Sequence, residues 1–188
     1  MFKNLKTSSI VSYLNSVETI VSTIHNEKNT EKVVFFILLN LIEKLDFGYS
    51  EGYFFKYDRW DRNLKHLNSY FDLKKLKKDE VEFISNNLER DINFYGTPIE
   101  KIIKNTNIQT NLTGINFHEN YGLLNRFKIF TIIPIIYEDI YYGSFILDKK
   151  SEMPYVLSLQ DIYILEFFKY NFSIYIHTRE SEEFQTED

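Results

Sequence analysis

Cysteine is absent from the 188 residues, and glycine and proline are scarce at six and three. The missing thiols exclude disulfides, thiolate nucleophiles and thiolate metal sites together, and their absence fits a reducing compartment. Few glycines and prolines mean few chain breakers, so long regular elements are expected. Basic charge is also in deficit. With 22 Lys and Arg against 27 Asp and Glu the net charge is −5, the wrong sign for a surface that tracks nucleic-acid phosphates. Long hydrophobic runs are missing too: the longest, Val33 to Leu39, is about a third of the roughly 20 residues a membrane span needs. The basic start MFKNLKTSS lacks the apolar centre of a secretory signal. These exclusions point to a cytoplasmic chain with neither nucleic acid nor membrane as partner.

What is plentiful is aromatic, with 17 Phe and 14 Tyr. Hydrophobic residues at 44% and charged residues at 26% give the balance of a globular protein, and the length suits one domain with a full core. Heavy use of Lys, Asn, Ile and Tyr also follows from AT-rich coding, so the aromatic surplus alone does not define a pocket.

The central stretch is FTIIPIIYEDIYYGSFILDKK, Phe130 to Lys150: two apolar β-rich runs meeting at a short acidic turn, read as the middle hairpin of a sheet. A second hairpin is expected upstream, with strands at Tyr53 to Tyr57 and Leu64 to Phe71 joined by DRWDRN. Four helices frame these strands. Over Thr7 to His25, Ile10, Leu14, Val17, Val21 and Ile24 recur at steps of four and three, a heptad seam that serves either packing on the same domain or pairing with a second copy. Asn29 or Thr30 caps a helix to about Leu45 that is apolar nearly all round. Thr97, Pro98 and Glu100 mark the start of a short helix to about Asn105. The last helix runs from Ser158 to about Arg179, with Asp161 as its capping partner and one narrow polar stripe of Glu166, Lys169, Ser173 and His177. Burying the rest of that helix needs more cover than one sheet face offers. Each large side chain left in water forgoes roughly 1.5 to 3 kcal/mol, and a partner subunit is the simplest cover.

Between these elements, DLKKLKKDEVEFISNNLERD reads as a surface helix, or one broken near Lys78, whose KKLKK run is read as a solvated face ahead of a partner or phosphate patch. Ile108 to Arg126 is the least regular part of the chain, and long irregular connections in compact domains tend to be functional. The tail from Glu180 to Asp188 is polar and acidic and is expected to be disordered.

The order of elements resembles a GAF domain over about residues 29–179, following a separate N-terminal helix within residues 1–28. The resemblance rests on the Asp46-Phe47-Gly48 helix exit, the strand GYFFKYD, the Ile-Ile-Pro-Ile strand, the Tyr-Gly-Ser-Phe-Ile-Leu-Asp strand and the Leu-Ser-Leu-Gln-Asp helix start. It implies an α+β fold: a central antiparallel sheet of five or six strands, the N- and C-terminal helices on one face and an irregular segment over the other. It also implies a regulatory or sensor domain of bacterial-style signal transduction, with an unidentified small-molecule ligand. Homodimerisation would use residues 8–25 and 158–179, and a signalling output protein or domain would be a further partner. On that resemblance the pocket would draw on Phe117, His118, Tyr121 and Arg126, with Phe55 and Tyr57 as its floor. The other reading is an interaction module of the same fold with no ligand, its aromatics plugging the open face.

Enzymatic chemistry finds no support in the residues. The cysteine that the family's methionine sulfoxide reductases and covalent bilin binders require is absent, as is the Asn-Lys-x-Phe-Asp-Glu signature of its cyclic-nucleotide binders. His25, His66, His118 and His177 are far apart in sequence and form no metal-spaced pair. His118 alone falls in the expected pocket lid, where contact with a ligand or haem competes with plain exposure on a loop. Asp58 and Asp61 lack the glycine and spacing of a calcium loop. No catalytic residue, metal site or cofactor is assigned.

Overall fold

Apolar runs buried on both faces build the sheet. Five strands, β1 (Glu51–Asp58), β2 (Asn63–Phe71), β3 (Gln109–Leu112), β4 (Ile129–Tyr137) and β5 (Ile140–Lys149), lie in the order β2-β1-β5-β4-β3. All neighbours are antiparallel. The computed structural model describes residues 7–45, 47–88, 100–101, 105–112, 127, 129–149 and 157–186, with side chains from 14 to 182.

Both hairpins form where the sequence places them. In β4–β5 the two turn residues Glu138 and Asp139 have φ of 48° and 62°, the left-handed pair that matches strand twist in a two-residue hairpin. In β1–β2 the Asp58 carboxylate accepts from the backbone N–H groups of Trp60 and Asp61. Lys65 then reaches back to Asp58 at 2.8 Å and Asp61 at 2.7 Å. The two aspartates therefore organise the turn as well as facing water. A bulge at Leu67, opposite the Phe54–Phe55 step of β1, bends the edge strand β2, and on the same strand the Ser69 N–H is taken by the Asn68 side chain. Both features blunt the edge against further pairing.

The helices are α1 (Thr7–Asn26), α2 (Thr30–Leu39), α3 (Lys78–Ser85) and α4 (Leu159–Thr186). Asn29 caps α2 by accepting from Lys32 N–H at 3.0 Å. The helix does not continue regularly to Leu45: Asn40–Lys44 forms a π turn, and the buried Asn40 side chain donates to the Phe36 carbonyl at 2.8 Å. Ser158 and Asp161 form the expected reciprocal cap of α4. The start of α3 at Lys78 agrees with the break expected there. The expected helix at 97–105 is described only at 100–101, which are helical.

Two cores follow, one on each face of the sheet. On one face α1, α2 and α4 bring Ile20, Ile24, Val34, Leu38, Phe168 and Phe172 onto Phe54, Ile133, Phe145 and Leu147. On the other, α3 covers the sheet with Leu76 outside it and Ile84 within. The helices expected to share a face do so.

Three sequence expectations fail in detail. In α1 the inward residues are Ile20 and Ile24, with Val17 against the core, and Leu14 of the expected seam is exposed. Packing of α1 into the main core is the first of the two uses read for its seam. In α4 the polar stripe is not the solvent face. Ser173 is buried with its hydroxyl on the Lys169 carbonyl of the same helix, while Lys169 donates to the Thr106 carbonyl and His177 meets Tyr142, partners that reach these two positions from other elements. Finally, the expected disordered tail is helical up to Thr186. Glu180 holds it down by pairing with Lys56 at 3.0 Å and Arg59 at 3.4 Å.

Candidate functional site

Period-two alternation along β1 sends Tyr53, Phe55 and Tyr57 to the face away from α4, and Phe54 to the helical face. The neighbouring strands add Leu64 and Phe71 from β2, Phe130 and Ile132 from β4, and Tyr141 and Ile146 from β5. Phe127 and the α3 side chains close one side. The rings are close. Tyr53 lies 6.1 Å from Phe55 and 5.6 Å from both Phe71 and Phe127, and Tyr57 lies 5.3 Å from Tyr141.

Polar groups on this face are few. Tyr53 donates to the buried carboxylate of Glu51 at 2.7 Å, and Glu51 stands opposite the buried Asp148 in the β1–β5 register. The Tyr141 hydroxyl shares a 2.8 Å hydrogen bond with Ser144, and burial pushes its phenol well above the ordinary range. His66 packs 5.8 Å from Phe55. Its Nε2 is buried without a hydrogen-bond partner among the described residues. Burial holds the ring below its ordinary pKa of 6.5, partly offset by the Asn68 backbone.

Of the sequence-predicted pocket residues, Phe55 and Tyr57 are on this face. Phe117, His118, Tyr121 and Arg126 lie outside the described residues. Sequence reasoning passed over Tyr53, two positions before Phe55 on the same side of the strand, and His66, across the hairpin. The same period-two count points to Tyr53; the bulge at Leu67 of β2, which decides where His66 falls, has no local sequence signal. Among the described residues no group of three or more His, Asp or Glu side chains is placed to hold a metal. In the KKLKK segment, Lys75 bonds the Tyr49 carbonyl and Asp72. An open groove of about 510 Å3 beside it is lined by Leu73, Leu76, Lys78, Val81 and Glu82.

The second candidate surface is the outside of α4. Leu159, Tyr163, Phe167 and Tyr170 are 75%, 72%, 43% and 64% exposed. Steps of four, four and three set them in one stripe on the helix.

No family model and no curated protein matches this sequence. Solved structures do match in fold. One is the GAF domain of a phosphoenolpyruvate-protein phosphotransferase from Coxiella burnetii, with a TM-score of 0.67 at 13% identity over 92% of this chain and 97% of that one. Another is a free methionine-R-sulfoxide reductase from Neisseria meningitidis in complex with its substrate, with a TM-score of 0.66 at 11% identity over 97% and 98%. A GAF domain/HD domain protein from Geobacter sulfurreducens gives 0.62 at 12% identity over 85% and 97%. Such identities establish architecture rather than chemistry, and the architecture of this chain is that of a GAF domain.

Proposed function

We propose that the chain is a non-catalytic regulatory domain of signal transduction, which receives a small molecule on the aromatic face of its sheet and pairs with a second copy through α1 and α4. The pairing rests above all on the exposed stripe Leu159, Tyr163, Phe167 and Tyr170. Rigid aromatics in a continuous row on a long helix are the usual material of protein interfaces, and Leu14 on α1 adds to it. The ligand site is supported by aromatic walls with few polar groups, the composition small-molecule sites use. The solved neighbours point the same way, one of them holding its substrate on the same architecture. An output protein or domain would read the paired helices.

One observation favours an interaction module without ligand. Tyr53, Phe55, Phe71, Phe127 and Phe130 pack on one another at ring distances of 5.6 to 6.1 Å, so the chain's own side chains fill part of this face. Native mass spectrometry of the protein purified from cells separates the readings. Twice the chain mass plus a retained small molecule is the expected result. Dimer mass alone favours the module, and an apo monomer overturns both.

A further inference from the structure

Adjacent residues on a strand point to opposite faces, so a strand that shifts carries both faces with it. At the turn end of β1 and β5 this rule joins two contact sets. On the aromatic face Tyr57 meets Tyr141 at 5.3 Å. On the helical face the neighbours of those residues, Lys56 and Tyr142, both reach the last turns of α4. Lys56 pairs with Glu180 at 3.0 Å, and Tyr142 shares a 2.7 Å hydrogen bond with His177. Arg59 ties the set together, its guanidinium 5.1 Å from the centre of the Tyr142 ring and 3.4 Å from Glu180. His177 also lies 4.7 Å from the Tyr137 ring. Glu180 is only 16% exposed, so the pairs it makes are screened less than ordinary surface pairs.

We propose that Lys56, Arg59, Tyr142, His177 and Glu180 form a clasp through which movement of Tyr57 and Tyr141 on the aromatic face reaches the last turns of α4. The clasp rests on the regulatory reading for its use, not for its existence. Substitutions on the aromatic face loosen the helix end, and a broken clasp makes the helix end deaf to them. Coupling of this kind is a free energy shared by two places and is read in either direction.

Hydrogen–deuterium exchange on the full chain, with no ligand added, tests it. Glu180→Gln should speed exchange of the Tyr175–Glu180 amides roughly five- to thirtyfold, with β4 and β5 unchanged. Tyr57→Leu and Tyr141→Phe, on the face of the sheet away from α4, should speed the same amides. In the Glu180→Gln background they should add nothing further. Unchanged helix exchange in Glu180→Gln overturns the clasp, and a response to Glu180→Gln without one to Tyr57→Leu or Tyr141→Phe overturns the relay. A uniform rise across β4 and β5 is loss of fold and also counts against it. Failure of the ligand reading would leave every one of these results untouched.

Discussion

Gly143 stands so close to Phe55 across the β1–β5 pair that a Cβ on Gly143 would lie 2.2 Å from the Phe55 carbonyl oxygen and 3.0 Å from the Lys56 Cα. Its φ of +144° is one that side-chain-bearing residues rarely adopt. The obstacle is backbone in the middle of the sheet, so it cannot swing aside. Gly143→Ala should therefore cost about 3 kcal/mol or more in urea unfolding. Gly52→Ala is the contrast. The three atoms nearest its Cβ would be side-chain ends, those of Leu147 and Leu38 at 2.8 Å and Ile42 at 3.0 Å, and the expected cost is about 1 to 2 kcal/mol.

The β4–β5 turn is under mild strain of a different kind. Glu138 and Asp139 both hold positive φ, where asparagine and glycine fit better. The double change Glu138→Asn, Asp139→Gly should raise stability by about 1 kcal/mol, seen as a higher midpoint in thermal melting.

Among the described residues, His66 and Asp58 both bear on the response to acid. His66 titrates below 6.5 because burial penalises its charged form. Its contribution to stability is complete above 6.5 and is lost as pH falls through its lower folded value. Asp58 is held down to about 2 by its bond with Lys65, against an ordinary 3.8. Its contribution is present above 3.8 and lost as pH falls toward 2. Unfolding midpoints measured from roughly pH 7.5 downward should thus fall in two stages. His66→Gln should flatten the first stage and Asp58→Asn the second.

The inside and outside of α4 should separate cleanly in the diluted monomer. Phe172 is fully buried between the sheet and its own helix, and Phe172→Ala should cost about 3 to 5 kcal/mol. Tyr163→Ser, on the exposed stripe, should change monomer stability by no more than about 0.5 kcal/mol. By sedimentation velocity the same Tyr163→Ser chain should dimerise more weakly than the parent.

Sequence reading reached the sheet because hairpins announce themselves locally. The two apolar runs in Phe130 to Lys150, the short acidic turn between them and the Ser158–Asp161 cap each lie within a short span, and each appears where expected. What escaped it depends on partners distant in the chain. The α4 residues Lys169, Ser173 and His177 look like a solvent stripe until Thr106 and Tyr142 arrive beside two of them. Glu180 looks like tail until Lys56 and Arg59 reach it. A helical count locates a stripe but not which way it faces. For the candidate site, Phe55 and Tyr57 belong to a strand that could be read locally, while Phe117, His118, Tyr121 and Arg126 came from an irregular stretch that has no period to read.

The wide turn at Asn40–Lys44 has a bearing on length. Inside a regular helix, one residue inserted or removed rotates everything beyond it by about 100° and turns an apolar stripe away from its sheet. A segment already looped by one extra residue can take up or release that residue on the spot. Changes in chain length should accordingly be tolerated at this point, while Val33 to Leu38 before it and Phe47 to Tyr53 after it keep their phase.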